Sequence, residues 1–282
     1  MTTQPVKFYQ VGSFAVGNRL LPGYDRSFQA QMDRTNALTS GHRACQGCGE
    51  ALGARYALDA AMRAAGDQVI AVNATGCLEV FSTPYPESSW RIAWLHSLFG
   101  NAAAVGTGVA AAMKAKGRSD VRVIAQGGDG GTVDIGFGPL SGMFERNDDV
   151  LYICYDNEAY MNTGVQRSGA TPPAARTATT QAVGHDPGNV FGQGKFVPRI
   201  AMAHEIPYVA NVTVAVLRDL NVKGELVSST KIRKKVAVEE YLKTQARYAH
   251  LFSPQRREDV INHLQDMADR NIARYQLVGE EE

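Results

Sequence analysis

A glycine-flanked aspartate and an asparagine downstream of it are residue types that could hold a divalent cation. Asp129 lies in "GGDGG" directly after the apolar run "VRVIAQ", and Asn157 follows 28 positions later in "YDNEAYMNTG". Glycines let backbone N–H groups approach a phosphate closely, because no Cβ intervenes. A carboxylate among them suits a site in which Mg²⁺, which prefers oxygen ligands, lies between the carboxylate and the phosphates. The backbone carbonyl of Ala159 could complete the ligand set. A turn closed by Asp129, with Asn157 in another turn, is the alternative.

Two thiols, Cys45 and Cys48, form a C-x-x-C pair in a chain with four cysteines, the others being Cys77 and Cys154. Such a pair is typical of a zinc corner, a redox site or a cluster corner. A zinc site would need a second pair or histidines at suitable spacing, and the sequence has neither. The N-terminal residues do not resemble a signal peptide, so we expect a cytoplasmic protein with reduced thiols.

Alternating helical and apolar stretches must position these residues. Helices are predicted for "GEALGARYALDAAMRAAG", "NAAAVGTGVAAAMKAKG" and "GPLSGMFERN", and strands for "QVIAVNATG", "DVRVIAQGG" and "DDVLYICYDN". This alternation favours an α/β fold, in which a mostly parallel sheet carries helices on both faces. Ligands of such sheets lie beyond the carboxyl ends of the strands, where Asp129 and Asn157 are expected to meet. A further helix and strand are predicted in "VPRIAMAHEIPYVANVTVAV".

Changes in composition divide the chain into three parts. Residues 1–40 are polar and are interpreted as an N-terminal arm, residues 41–215 as the binding domain, and residues 216–282 as a charged C-terminal tail. The tail contains a predicted helix whose apolar stripe consists of Val260, Leu264, Met267 and Ile272. The formal net charge of +1 gives no reason to expect nucleic acid or an anionic membrane as a partner. No apolar run approaches the ~20 residues of a membrane helix.

Six ordered stretches together resemble a known family. They are "YQVGSFAVGNRLLP", "GHRACQGCGEALGARYALDAAM", "NATGCLEVFSTPYPESSW", "SLFGNAAAVGTGVA", "GGDGGTVDIGFGPLSGMFERN" and "YDNEAYMNTGVQRSGATP". In this order they resemble the thiamine diphosphate-binding β subunit of the 2-oxoacid:ferredoxin oxidoreductases, most closely the pyruvate enzymes. The resemblance implies a thiamine diphosphate-binding fold. It also implies oxidative decarboxylation of a 2-oxoacid with coenzyme A, the electrons passing through iron–sulfur clusters to ferredoxin.

The resemblance assigns roles to individual residues. It makes Asp129, Asn157 and the Ala159 carbonyl the Mg²⁺ ligands, and Asn162 the polar residue that faces the reacting carbon. The remaining cofactor contacts are the diphosphate-cradling Gly128 and Gly130, the neighbouring Thr163 and Gly164, and the pyrimidine-edging Cys48, Gly49 and Glu50. The glutamate that activates the aminopyrimidine belongs to another subunit in this family, so neither Glu50 nor Glu158 is given that role.

The cysteines match the family only in part. Cys45, Cys48 and Cys77 correspond to three ligands of a 4Fe–4S cluster, whereas the fourth ligand, from a Cys-Pro-Thr-Gly-Trp-like motif after "PYVA", has no counterpart here. Cys154 lies in a predicted buried strand and is interpreted as a small packed side chain. Three alternatives stay open: a cluster with a non-cysteine fourth ligand, a three-iron or labile cluster, and no cluster.

The resemblance also implies partners. A pyrimidine-binding α subunit and ferredoxin-type γ and δ subunits are expected, together with ferredoxin, coenzyme A and a 2-oxoacid. Two other functions are considered as alternatives. The missing fourth cysteine favours a non-oxidative decarboxylase or carboligase subunit, and a catalytically inactive subunit that retains the fold is the other alternative.

Overall fold

A parallel sheet forms the centre of the protein, and its strands end where the candidate residues begin. The computed structural model describes residues 36–66, 68–84, 88–211 and 237–274, and a short antiparallel pair formed by β1 (Tyr9–Gln10) and β2 (Ser13–Phe14). Within these residues the sheet has four parallel strands in the order β4-β3-β5-β6. They are β3 (Val69–Ala74), β4 (Ala93–Ser97), β5 (Arg122–Gly128) and β6 (Val150–Tyr155). The predicted parallel sheet is confirmed.

The described ranges contain seven α-helices. They are α1 (Gly49–Ala65), α2 (Cys77–Ser82), α3 (Ala102–Ala115), α4 (Phe137–Glu145), α5 (Val197–Ala203), α6 (Val238–Lys243) and α7 (Glu258–Arg274). A π-helix (Gly131–Ile135) precedes α4, and a 3₁₀-helix (Ala246–Leu251) follows α6. Helix α1 ends at Gly66, whose φ of 60° favours glycine, as predicted. No helix in this part of the chain is both long and apolar enough to span a membrane.

Helices cover both faces of the sheet. On one face, Leu58 of α1 and Leu78 of α2 are buried against Ala71 and Ile124 of the strands. On the other face, α3 lies against β5 and α4. A Cβ added at Gly106 would lie 3.0 Å from the Cβ of Ala125, so the small residues of α3 allow close packing on the sheet. The predicted arrangement of helices on both faces is therefore confirmed.

Residues 237–274, called the C-terminal segment below, pack on a loop of the main fold. Leu242, Tyr248 and Leu251 are buried with Ala174 and Ala175 in one apolar cluster. The predicted C-terminal helix is confirmed as α7, with Val260 and Leu264 buried and Met267 half-buried in the same cluster. The side chain of Ile272 and the predicted boundary near residue 215 lie outside the described residues, so the division into three parts stays a prediction. Residues 207–211 form no strand, and the rest of the strand predicted there also lies outside.

Candidate functional site

Asp129 and Asn157 meet at the carboxyl edge of the sheet. Asp129 directly follows β5, and Asn157 lies two positions after the end of β6, its neighbour in the sheet. Because Gly128 pairs with Tyr155, the two strands end at the same level. The Asp129 carboxylate accepts a hydrogen bond from the backbone N–H of Asn157. The structure therefore brings together the two residues that a shared cation would require.

The carboxyl group of Asp129 is buried, with 1% of the residue exposed. Burial raises its pKa to about 7, and the nearby Asp156 charge adds to the rise, while hydrogen bonds from Ser168 and the Asn157 backbone oppose it. The Ser168 hydroxyl donates to Oδ2 of Asp129, a contact that the sequence did not reveal. Burying a carboxylate without a compensating cation is unfavourable. A divalent ion beside Asp129 would supply that compensation.

The two polar atoms of the Asn157 side chain differ in their hydrogen bonding. Its Nδ2 donates to Oε2 of Glu50 over 2.9 Å, which turns Oδ1 away from that carboxylate. Oδ1 is buried and has no hydrogen-bond partner among the described residues. Buried polar atoms are nearly always paired, and amide oxygens are suitable ligands for Mg²⁺. The donor set therefore fits a magnesium ion, to which Asp129 and Asn157 would contribute oxygens.

Helix α1 brings Glu50 to this edge. Cys48 caps the helix, its sulfur accepting from the backbone N–H of Ala51 over 3.4 Å, and Gly49 and Glu50 form the first turn. The Glu50 carboxylate also accepts from the backbone N–H of Leu78. Burial raises the pKa of Glu50 to about 7, while the hydrogen bonds from Asn157 and Leu78 lower it. The first turn of α1 thus reaches the cation site, and its predicted contact with a pyrimidine ring stays a prediction.

The glycine turn after β5 is shaped by an aromatic ring. A Cβ at Gly130 would lie 2.4 Å from the ring of Tyr160, so only glycine allows this ring to pack against the turn. A Cβ at Gly128 would meet nothing closer than the Tyr155 carbonyl at 4.0 Å. The need for glycine at position 130 thus has a packing cause. The predicted role of both glycines in cradling a diphosphate stays a prediction.

Asp134, on the π-helix, is a connecting residue that the sequence did not reveal. Its carboxylate accepts from the Tyr160 hydroxyl, the backbone N–H of Gly169 and Nζ of Lys195, each over 2.8 Å. These hydrogen bonds lower its pKa, although burial opposes them. Asp134 therefore ties both ends of the 160–169 loop to the turn after β5. In the sequence, its position just after the glycine turn could have pointed to this connecting role. The structure adds that Asp134 lies in a π-helix, a type of helix often found at functional sites.

The loop residues Asn162, Thr163 and Gly164 are exposed. The Thr163 hydroxyl donates to Oε1 of Gln166 over 2.5 Å, and Gly164 has a φ of 121° that favours glycine. The backbone N–H of Asn162 donates to the sulfur of Cys77. This contact places the loop beside the cysteine region. Ala159, the remaining predicted ligand, is buried at 4% exposure directly after Asn157 and Glu158.

Cys45, Cys48 and Cys77 share one neighbourhood. The backbone N–H of Cys48 donates to the Cys45 carbonyl over 3.0 Å, and Cys77 begins α2. The pKa of Cys77 is raised to about 12, mainly by burial and also by the charges of Glu50, Cys48 and Cys45. Among the described residues, however, no three His, Cys, Asp or Glu side chains are arranged to hold a metal ion. Because a cubane cluster normally takes four thiolates, these three thiols do not fit one.

Cys154 lies within β6, in the strand where it was predicted. Its thiol hydrogen-bonds with Thr132, and burial is the main cause that raises its pKa to about 12. The side chain lies within a strand of the sheet and contacts Thr132, not the region of the other three thiols. Its surroundings therefore agree with a packing role.

Comparisons with known proteins agree with this geometry. The family described as "Thiamine pyrophosphate enzyme, C-terminal TPP binding domain" matches residues 74–228, which include Asp129 and Asn157. Pyruvate synthase subunit PorB of Methanosarcina barkeri is 41% identical over 291 positions, which cover 85% of this chain and 97% of that subunit. The PorB subunit of Methanothermobacter thermautotrophicus is 52% identical over 193 residues, or 68% of this chain and 65% of the relative.

A solved structure is also similar. A chain of the 2-oxoglutarate:ferredoxin oxidoreductase from Magnetococcus marinus, solved with 2-oxoglutarate, coenzyme A and succinyl-CoA bound, superposes with a TM-score of 0.54 at 25% identity. The match covers 69% of this chain and 64% of that one. The Methanosarcina alignment also reveals a difference in length. Since 85% of 282 residues is about 240, about 51 of the 291 aligned positions have no residue of this chain opposite them.

Proposed function

The chain belongs to the β-subunit family of the 2-oxoacid:ferredoxin oxidoreductases, and on that basis we propose that it binds Mg²⁺–thiamine diphosphate at the carboxyl edge of its sheet. The observation that carries this proposal is the buried Oδ1 of Asn157, which has no hydrogen-bond partner in the described part of the chain, in a residue whose backbone N–H contacts the Asp129 carboxylate. Two oxygens from adjacent strand ends suit Mg²⁺, which completes its shell with phosphate and water oxygens.

Each predicted site residue then has a defined role in cofactor or substrate binding. Asp129, Asn157 and the Ala159 carbonyl hold the ion, and the backbone at Gly128, Gly130, Thr163 and Gly164 contacts the diphosphate. Asn162 faces the substrate from the exposed loop, while Cys48, Gly49 and Glu50 border the pyrimidine. When bound, thiamine diphosphate supplies the electron sink that decarboxylation of a 2-oxoacid requires.

The activating glutamate comes from a partner subunit. Glu50 accepts hydrogen bonds from Asn157 and Leu78, and Glu158 forms an ion pair with Arg247, so both glutamates at this edge already have partners. This occupancy supports a cofactor that lies between this chain and a pyrimidine-binding α subunit. Ferredoxin-type γ and δ subunits complete the proposed complex.

We propose pyruvate as the 2-oxoacid, with coenzyme A as acyl acceptor and ferredoxin as electron acceptor, in the cytoplasm. The names of the PorB relatives support pyruvate, and the solved relative shows that 2-oxoglutarate is used elsewhere among similar proteins. A screen of pyruvate, 2-oxoglutarate and 2-oxoisovalerate with the purified complex tests the choice. We expect the highest kcat/KM with pyruvate, and a preference for another acid would overturn it.

The iron–sulfur cluster is proposed to be incomplete in this chain. Only Cys45, Cys48 and Cys77 correspond to family ligands, and the chain is shorter than its Methanosarcina relative inside the aligned span. Iron and sulfide analysis of anaerobically purified complex, with EPR of its reduced state, tests this inference. A labile or sub-stoichiometric cluster is expected, and a stable 4Fe–4S signal assigned to this chain would contradict it.

Substitution of Asp129 tests the proposed function. We expect D129A to abolish both thiamine diphosphate binding and pyruvate oxidation by the complex, because the ion loses its carboxylate ligand. D120A is the matched control, since Asp120 is an exposed partner of Arg118 before β5. Unchanged activity of D129A would favour a structural subunit. The missing fourth cysteine favours one rival, a non-oxidative carboligase, which formation of acetolactate without an electron acceptor would reveal.

A further inference from the structure

The C-terminal segment contacts one loop of the main fold, residues 174–187, at several points. The backbone N–H of Arg176 donates to the Arg247 carbonyl over 3.1 Å. His250 Nε2 hydrogen-bonds with the Pro187 carbonyl, and Tyr248 is buried against the same loop. These contacts hold the 3₁₀-helix Ala246–Leu251 in place. They therefore also fix the point from which the Arg247 side chain extends.

Arg247 reaches from this helix to the residue between two proposed Mg²⁺ ligands. Its Nη1 lies 2.8 Å from Oε2 of Glu158, and the two side chains are only 19% and 31% exposed. That oxygen accepts no well-aligned hydrogen bond from any residue that the structure describes, so the contact with Arg247 is an electrostatic pair. The Arg247 charge also acts on Asp156. Partial burial reduces screening by water and salt, which makes this pair stronger than an exposed one.

Glu158 has a backbone conformation that residues other than glycine seldom adopt. Its φ is 67°, in the left-handed region that is sterically disfavoured for a residue with a Cβ. Its carbonyl accepts from the Thr171 hydroxyl over 2.6 Å, and its N–H donates to Oδ1 of Asp156 over 3.0 Å. A change in this conformation would rotate the peptide units on both sides. Such a rotation would displace the side-chain oxygen of Asn157 and the carbonyl oxygen of Ala159 together.

We propose that Arg247 is a positioning residue of the cofactor site, which fixes Glu158 and thereby holds the oxygens of Asn157 and Ala159 in the geometry that Mg²⁺ needs. The expected effect of Arg247 on Mg²⁺ binding rests on the proposed function. Its effect on the conformation of the loop around Glu158 does not, because that conformation is a property of the metal-free chain. Arg247 thereby gives the C-terminal segment a task in cofactor binding.

The R247M substitution keeps the apolar stem of the side chain and removes the charged guanidinium group. We expect R247M to increase amide hydrogen exchange about tenfold in metal-free peptides spanning residues 156–164, and to weaken Mg²⁺ binding in the presence of thiamine diphosphate about tenfold. R247K, which keeps the charge, should recover most of both. The matched control is R256M, because Arg256 pairs with Glu239 within the C-terminal segment, at 2.7 Å. R256M should change neither quantity.

The outcomes separate this inference from the proposed function. Wild-type exchange and Mg²⁺ affinity in R247M, or equal changes in R256M, would overturn the inference. If the wild-type complex binds no Mg²⁺–thiamine diphosphate, the proposed function fails, while hydrogen exchange still decides whether Arg247 orders the loop. If R247M does not fold, E158Q removes the charge from the other side of the pair and is expected to produce the same increase in exchange.

Discussion

At the scale of single residues, the proposed cation site depends on which way the side-chain amide of Asn157 faces. Oε2 of Glu50 accepts from Nδ2 of Asn157. Above the raised Glu50 pKa of about 7 the carboxylate can only accept hydrogen bonds, so there it selects the orientation in which Nδ2 points toward it. Oδ1 is then left for the cation. The sequence indicated both residues, yet it could not show their contact, because 107 positions separate them and only the folded sheet edge brings α1 to β6.

Substitution of Glu50 tests this orientation. E50A should weaken Mg²⁺ binding by about 10–100-fold, the range found when the partner of a metal ligand is removed. E50Q should retain most of the affinity, because its amide oxygen still accepts from Nδ2. Isothermal titration with Mg²⁺ in the presence of thiamine diphosphate measures the difference. Equal affinities in E50A and wild type would show that the amide needs no such support.

The ionisation of Asp129 predicts how stability depends on pH. Its pKa is raised from 3.8 to about 7 in the folded chain, so between these values the folded state holds a proton that the unfolded state has lost. The metal-free protein should therefore lose stability as pH rises from about 4 to about 7. Thermal unfolding across this range measures the slope, and D129N should flatten it. A stability that rises through this range because of Asp129 would contradict the assignment.

At the scale of elements, the strands and helices with strong apolar patterns were predictable and the short or exposed ones were not. Strand β4 at the sheet edge has three exposed residues among five, and α2 spans only six residues, so neither leaves a clear pattern. The Asp134–Lys195 contact joins residues 61 positions apart and depends on the π-helix. Long-range contacts of this kind arise from the sheet topology, which local periodicity does not encode.

Substitution of Gly130 and Gly128, the two glycines of the turn after β5, is expected to affect different properties: fold stability for Gly130 and cofactor binding for Gly128. G130A should destabilise the fold by about 1–3 kcal/mol, because its Cβ would overlap the Tyr160 ring. G128A should leave the unfolding temperature nearly unchanged yet weaken thiamine diphosphate binding, if the backbone there contacts the diphosphate. Calorimetry and fluorescence titration measure the two effects. A G128A variant with unaltered cofactor affinity would remove Gly128 from the proposed cradle.

At the scale of the whole molecule, we propose that the chain supplies one side of an active centre. Glu50 and Glu158 at the sheet edge have partners within the chain, and the exposed loop of Asn162–Gly164 borders the cysteine region. We therefore expect the chain expressed alone to bind thiamine diphosphate weakly and to oxidise no pyruvate. Co-expression with the α subunit should restore both, and substantial turnover by the isolated chain would contradict a shared site.

The most direct test of the cation site replaces Mg²⁺ with Mn²⁺ and follows binding by EPR in the purified complex. We expect one Mn²⁺ per chain, bound tightly only when thiamine diphosphate is present, with phosphorus couplings in the ENDOR spectrum. D129N and N157A should each remove this signal. Retention of the signal in both variants, or tight binding that is indifferent to thiamine diphosphate, would contradict the claim that these two residues hold the ion.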